Sequence, residues 1–544
     1  ENGGYSDKAR KAISICAKYC VQDSALVVRL MEKLKTWVGL TEMASICNVP
    51  IFALYTQGQQ IKVYSQIYRF CMEQNIVVEK DGYKTLATDR YVGAKVFPPK
   101  PGIYNYIVPF DFASLYPTTI IAYNIDYHTW VPDDSDIPDS KCHVMEWEDH
   151  LGCIHDPNVI RKLEIDKIVE QKKVEIDALR KQRDSIRDKV YKKQLQTQIA
   201  EETEKLKPYR EERSEIQKAL PKICMCAKRR YRFLKEPKGV LPTIIQDLLD
   251  SRKRVRKVNM KALYKKLEQL EQEELETGID NSAKIIAVKT EIDVLDKRQL
   301  AMKVSANSMY GAMGVRRGYL PFMPGAMCTT YMGRVNIDKV ATTIPEKYGG
   351  ELVYGDTDSN YIHFPHLKNA QETWDHALYV ASEVTKMFPK PIVLEFEEEI
   401  YYWFFILSKK RYMYRKCLRD GVVDKKIGKK GVLLARRDNS KFVRDIYEKV
   451  VSMLADQDSM DNIQYYVIQK LNEVCSGLNQ VDDFVITKAV GDINGFQVQR
   501  FTNEKGVEKA MIGSYTVPIL SKDQIERQEQ LDRKDASNEK EYYL

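Results

Sequence analysis

The sequence predicts an α+β fold, and three stretches carry that reading. Residues 351–364, ELVYGDTDSNYIHF, set two β-prone apolar runs on either side of Gly355-Asp356-Thr357-Asp358-Ser359, the pattern of a tight hairpin. Residues 104–112 form a second apolar run that carries one charge, Asp111. Residues 159–218 and 239–309 instead repeat apolar residues at helical spacing through densely charged sequence.

Taken in order, residues 1–48 predict helix, because Ala12, Ile13, Cys16, Tyr19 and Cys20, then Leu26, Val27, Leu30, Met31 and Leu34, recur one turn apart. Residues 58–70 predict an amphipathic helix inside a linking region, 49–90. Pro98, Pro99, Pro101 and Gly102 then make a rigid turn into the strand that ends at Asp111 and Phe112. A carboxylate in so apolar a run must be paired, protonated or bound to a metal, because burying it bare is costly. Ser114-Leu115-Tyr116-Pro117 breaks the strand and starts a helix.

Cys142, His143, His150, Cys153 and His155 crowd together just before the charged region. Cys142, His150, Cys153 and His155 could hold zinc, but their spacing matches no standard finger, and the expectation is ordinary packing without metal. Residues 159–218 carry only a thin apolar stripe and predict one or two long helices, broken at Lys207-Pro208, forming a solvated arm. Residues 239–276 predict a helix, 277–281 a turn, and 282–309 a second helix. Arg252 and Arg256 share a face of the first, as Lys303, Asn307 and Tyr310 do of the second. Such a basic helical pair suits a triphosphate, although each face taken alone reads more readily as an ordinary solvated one. Residues 391–414 are strand-like and end in Lys409, Lys410, Arg411 and Tyr412, a cluster that fits a nucleic-acid backbone or groove edge. Residues 428–440 add a basic turn with Lys430, Arg436 and Arg437, and from 441 onward the pattern is mostly helical.

The bulk numbers set the class. Across 544 residues, 44% hydrophobic content permits several cores, and 85 Lys and Arg against 77 Asp and Glu leave a net charge of +8, enough for basic patches that meet a polyanion. Eleven scattered cysteines fit a reducing compartment better than a disulfide scaffold. The most apolar run, 400–407, is too short to cross a bilayer, so no membrane partner is expected. The opening Glu-Asn-Gly-Gly reads as a cut from something longer.

Three segments in order are more specific than any one of them. DFASLYP (111–117), KVSANSMYG (303–311) and YGDTDS (354–359) resemble motifs A, B and C of the family B, or α-like, DNA polymerases. The likeness extends to KKRY at 409–412 and to the Lys430 to Asp438 stretch, and its style is similar to that of large nucleocytoplasmic DNA viruses. The resemblance implies a right hand: palm at 91–158 and 312–435, fingers at 238–311, a mostly helical thumb at 436–544, and a charged helical insertion at 159–237. It implies two Mg2+ ions on Asp111 and Asp358, aided by the Phe112 carbonyl, with Asp356 a lesser ligand and Glu395 or Glu397 a further candidate. Ser114, Leu115, Tyr116, Arg252, Arg256, Lys303, Asn307 and Tyr310 would bind the dNTP. Lys409, Lys410, Arg411, Tyr412, Lys430, Arg436 and Arg437 would bind primer–template DNA. A processivity factor is a candidate partner, and the setting implied is the nucleus or a cytoplasmic viral replication site. Tyr19 and Asp23 are similar to a third exonuclease motif, but a two-metal nuclease cannot work from Asp23 alone, so no proofreading is expected of residues 1–48. The rival expectations are a palm polymerase that makes RNA and a catalytically silent DNA-binding scaffold.

Overall fold

A computed structural model describes residues 7–78, 91–186, 188–220, 224–316, 318–432, 439–485, 499–502, 508–512 and 515–518. The chain divides into two units: Glu1–Lys95 with Phe112–Val340 and Val384–Leu394, and Val96–Asp111 with Ala341–Glu383 and Glu395–Leu544.

The second unit is built on an antiparallel sheet. Its strands run in the order Gly428–Lys430, Arg411–Cys417, Ile400–Ser408, Gly102–Phe112, Ser359–His363 and Glu351–Asp356. Ile107 packs on one face with Tyr354, Tyr361, Tyr401 and Phe404. Phe110 points to the other face, where its ring lies 6.4 Å from Phe364 and 6.5 Å from Phe396. Burial on both faces explains why this strand reads as a continuous apolar run. Beyond it come the helices Lys441–Ala455 and Met460–Cys475. The strands Gln499–Thr502, Glu508–Ile512 and Tyr515–Pro518 then form an antiparallel sheet. The region from 441 onward is mostly helical among its described residues, as expected, and these strands depart from the pattern locally: Phe501, Thr502, Ile512, Tyr515, Thr516 and Val517 are aromatic or β-branched residues that favour a pleated surface.

The first unit is mainly helical. Helix Val240–Arg254 passes through a wider turn at Val255–Met260 into Lys261–Thr277, and Ser282–Met313 returns against it. Val255, Met260, Val288, Ile292, Leu295 and Met302 fill the seam. Helix Gln60–Glu73, expected within a linker, places Val63, Ile67 and Cys71 in the main core with Ile120, Leu241, Met309 and Phe322. The charged insertion folds as three helices, Pro157–Ser185, Lys189–Lys205 and Lys207–Ala219. Its thin stripe closes on itself: Ile165, Val169, Ile176, Ile199 and Leu206 make a separate small core. The Asp188 carboxylate caps the second helix through Val190 N at 2.8 Å and Tyr191 N at 3.2 Å, and the chain breaks again at Leu206. Among the described residues no helix is long and apolar enough to cross a membrane.

The helix that starts the pair is capped from a distance. Asp126 is fully buried and accepts from Val240 N at 2.8 Å, Leu241 N at 3.4 Å and His128 Nδ1 at 2.7 Å. A carboxylate there satisfies orphan first-turn amides and meets the positive end of the helix. The approach needs Gly239, because a Cβ at that position would stand 2.7 Å from Asp126 Cβ. The Asp126 hydrogen bond, with its charge, raises the His128 pKa against the effect of burial. Asp126→Ala should therefore cost about 1–3 kcal/mol, read as a lower midpoint in urea. The His128 contribution should be complete below its ordinary pKa of about 6.5 and fade as pH rises through the raised value. A His128→Gln penalty that grows toward alkaline pH would contradict this cap.

Candidate active site

Strand register assembles the carboxylates of the second unit. Asp111 lies opposite Ser359, and Ser359 lies opposite Asp356. The Ser359 hydroxyl donates to Asp111 Oδ1 at 2.7 Å, which supplies the partner that the apolar strand demands. Between Asp356 and Ser359 the chain turns through Thr357 and Asp358. Thr357 has φ 61°, and Asp358 N donates to Asp356 O at 2.7 Å, closing a γ-turn. A β-branched residue in the left-handed region is strained by about 1–3 kcal/mol.

Asp356 holds that turn. It accepts from Thr357 Oγ1 at 3.0 Å, from the Tyr354 hydroxyl at 3.2 Å, and from Lys410 Nζ at 3.0 Å. Lys410 N in turn donates to the Tyr354 oxygen at 2.9 Å. Burial, opposed by that amide and reinforced by the Asp356 charge, pushes the Tyr354 phenol up to about 12, so it stays a donor. Lys410 itself is 66% exposed, and such a pair is worth at most about 1 kcal/mol.

The basic cluster divides. Lys409, Lys410, Arg411 and Lys430 are exposed. Tyr412 is not an exposed contact as the sequence suggested: it packs against Tyr354, Tyr361 and Phe404, with its hydroxyl 2.7 Å from that of Tyr361. Arg411 before it stays exposed, while Met413 after it is buried in a different cluster with Trp403, so the strand is covered on both faces at this point. Arg436 and Arg437 lie outside the described residues. Glu395 and Glu397 are exposed.

In the first unit, Phe112 is buried, with its ring 5.2 Å from Phe388. Ser114 adopts φ 52° and leads into helix Leu115–Ala122, where Leu115 is buried. The Tyr116 ring lies 4.6 Å from Tyr310, whose hydroxyl is 3.2 Å from that of Tyr91. Burial, then the Tyr91 hydrogen bond, pushes the Tyr310 phenol far up. Gly333 gives this ring its space: a Cβ there would meet Tyr116 Cε1 at 2.8 Å. Lys303 and Asn307 are exposed one turn apart, and Arg256 is exposed. Arg252 is half-buried and donates to Gln299 Oε1 at 3.2 Å. Tyr19 and Asp23 are exposed on helix Asp7–Lys33.

Ser359, Tyr354, Tyr91 and Gly333 escaped the sequence reading. Ser359 alone had a usable signal, since the first residue after a hairpin turn faces the strand on its other side. The donors suit Mg2+, which is usually held by one or two carboxylates together with waters and phosphate oxygens. Asp111 uses Oδ1 for Ser359, and a carboxylate offers about four acceptor sites.

Comparison with known proteins agrees with the motif order. The DNA polymerase family B model matches residues 49–276 and 279–511. DNA polymerase 120R of Invertebrate iridescent virus 3 is 47% identical over 99% of this chain and 45% of its own length. DNA polymerase 037L of Invertebrate iridescent virus 6 is 41% identical over 95% of this chain and 46% of its own length. The DNA polymerase delta catalytic subunit of Candida albicans is 28% identical over 90% of the chain and 38% of its own. The chain thus spans about half the length, or less, of these curated relatives. On the family match across nearly all of the sequence from residue 49 to 511, the chain belongs to DNA polymerase family B.

Proposed function

We propose that the chain performs template-directed DNA synthesis in viral DNA replication. The primer 3′-oxygen attacks the α-phosphorus of a dNTP, the bond to the β-phosphate breaks, and pyrophosphate leaves as the 3′-hydroxyl loses its proton. The observation that carries the reading is the register that sets Asp111 beside Ser359, at the foot of the Thr357–Asp358 turn. Mg2+ bound by Asp111 and Asp358 with the Phe112 carbonyl would supply positive charge for the attacking and leaving oxygens.

The remaining roles belong to side chains and amides. The amides opening helix Leu115–Ala122, after Ser114, point positive partial charge at the triphosphate. Lys303 gives it a charge-assisted contact, with Arg252 and Arg256 as further cations, and Asn307 and Tyr310 line the nascent base pair. Lys409, Lys410, Arg411 and Lys430 grip the primer–template. The minor groove presents an acceptor at every correct pair, so cations there test pairing without reading sequence. Lys410 reaches it by exchanging Asp356 for a base or phosphate, a cheap exchange for an exposed pair. Asp356 then acts first as the brace of the turn and only second as a ligand. The sheet of the second unit serves as palm within 91–158 and 312–435, the helical pair 238–311 as fingers, and 436–544 as thumb. Free thiols throughout suit a reducing, intracellular replication site.

Asp111→Asn and Asp358→Asn should each abolish primer extension while primer–template binding largely survives, because the duplex is held by the basic hairpin. Extension at the parent rate by either variant, measured with dNTPs and Mg2+, would refute the assignment.

The Tyr116 ring separates DNA from RNA synthesis. A ring packed beneath the incoming sugar leaves no volume for a 2′-hydroxyl, and overpacking of that kind costs roughly 1–3 kcal/mol. Tyr116→Ala should raise ribonucleotide incorporation at least about tenfold, the equivalent of about 1.4 kcal/mol. Gly333→Ala should also change the rNTP to dNTP ratio, because its Cβ would displace the same ring. Unchanged discrimination in both variants would remove Tyr116 as the gate and reopen the RNA-making reading.

A further inference from the structure

The group that the sequence suggested for zinc is altered by the fold, and the alteration makes it a better site. Cys142 is buried at the start of strand Cys142–Leu151 and takes no part. In its place stands Cys226, on strand Met225–Leu234, which returns from the charged insertion. The two strands pair antiparallel with His150 directly opposite Cys226. Cys153 and His155 come from the loop that leads into helix Pro157–Ser185.

The ligand atoms of His150, Cys153, His155 and Cys226 all lie within 4.8 Å of one another. His150 Nδ1 is 3.6 Å from Cys153 Sγ and 3.3 Å from Cys226 Sγ, and His155 Nδ1 is 3.7 Å from Cys226 Sγ. With zinc–sulfur bonds of about 2.3 Å and zinc–nitrogen bonds of about 2.0–2.1 Å, a tetrahedron has sulfur–nitrogen edges of about 3.5 Å. The distances bracket that edge. Hydrogen bonds among neutral thiols and imidazoles do not require four such groups from two distant stretches of chain to converge on one point.

The surroundings fit as well. The other nitrogen of the bridging ring, His150 Nε2, lies 3.3 Å from Glu148 Oε2, the carboxylate–histidine pairing that orients metal-bound imidazoles. Asp156 accepts from Gly152 N through Oδ2, which ties the loop back to the end of strand Cys142–Leu151. Asp156 also accepts from Asn158 N at 2.8 Å, so the loop that presents Cys153 and His155 is tied to the first turn of the insertion helix.

We propose that His150, Cys153, His155 and Cys226 form a structural Zn2+ site. Two sulfurs and two imidazoles favour zinc over Mg2+, which takes oxygen donors. Two thiol protons leave as the ion binds, and the two thiolates balance its charge. The site closes the loop whose contents are the three-helix insertion, so it fastens the root of the arm to the sheet beneath it. Fixing the ends of so long a loop removes more chain entropy than fixing a short one.

The test uses the whole chain, purified without chelator and analysed for metal. About one zinc per chain is expected, falling at least about tenfold in Cys153→Ser and Cys226→Ser and retained in Cys142→Ser. Cobalt exchange into the unmutated chain supplies a readout that does not depend on a variant folding: thiolate-to-cobalt charge transfer and intense tetrahedral bands are expected. Less than about a tenth of an equivalent of zinc, zinc retained in both ligand variants, a cobalt spectrum without thiolate bands, or a Cys153–Cys226 disulfide in the native chain would each overturn the site.

Discussion

The pairing of strand Gly102–Phe112 with strand Ser359–His363 is the constraint on which the candidate site depends. Val108 faces Ile362 and Asp111 faces Ser359, so one register places both the apolar residues and the charge. A slip by one residue would turn Asp111 toward the face where Phe110 meets Phe364 and Phe396, and Phe110 toward the tyrosines. Both errors are costly: one buries a charge without its hydroxyl partner, the other breaks two packed faces. The core thereby sets the address of the carboxylate. The strained Thr357 turn rests on the same arrangement, because Asp356 can brace it only while Tyr354 and Lys410 stand where the neighbouring strands put them.

Much of this was legible, because the chemistry sits in short contiguous runs. DFASLYP, KVSANSMYG and YGDTDS announced their elements through turn residues, strand alternation and helical spacing, and the family match follows their order. Pairwise facts between elements were not legible. Nothing in the local sequence says that Tyr354 bridges Asp356 and Lys410, or that Gly333 leaves room for Tyr116. Tyr412 misled for a related reason: preceded by Lys409, Lys410 and Arg411, it reads as a surface residue, yet its strand is buried on both faces and the ring joins an aromatic core. The basic turn expected beyond Lys430 falls mostly on residues outside those described, Arg436 and Arg437 among them.

The insertion shows the same division. Charge density alone reads as a solvated arm, whereas three helices can pool stripes too thin to be persuasive singly, as Ile165, Val169, Ile176, Ile199 and Leu206 do. Its root was half visible: His150, Cys153 and His155 lie close in sequence, while Cys226 becomes their neighbour only when the strands pair. Spacing rules for metal motifs assume local ligands, and this group is local only in three dimensions.

The proposed synthesis requires that Asp111 and Asp358 hold the ions that serve the incoming nucleotide. Counting Mn2+ by electron paramagnetic resonance tests this without catalysis, in a complex of the chain with dideoxy-terminated primer–template and the matched dNTP. About two ions should be bound in that complex beyond those held by the nucleic acid, one of them shared with the triphosphate, and the count should fall by at least about one when Asp111 and Asp358 are both changed to Asn. Equal Mn2+ binding by the parent and the doubly substituted chain would contradict the account at its centre.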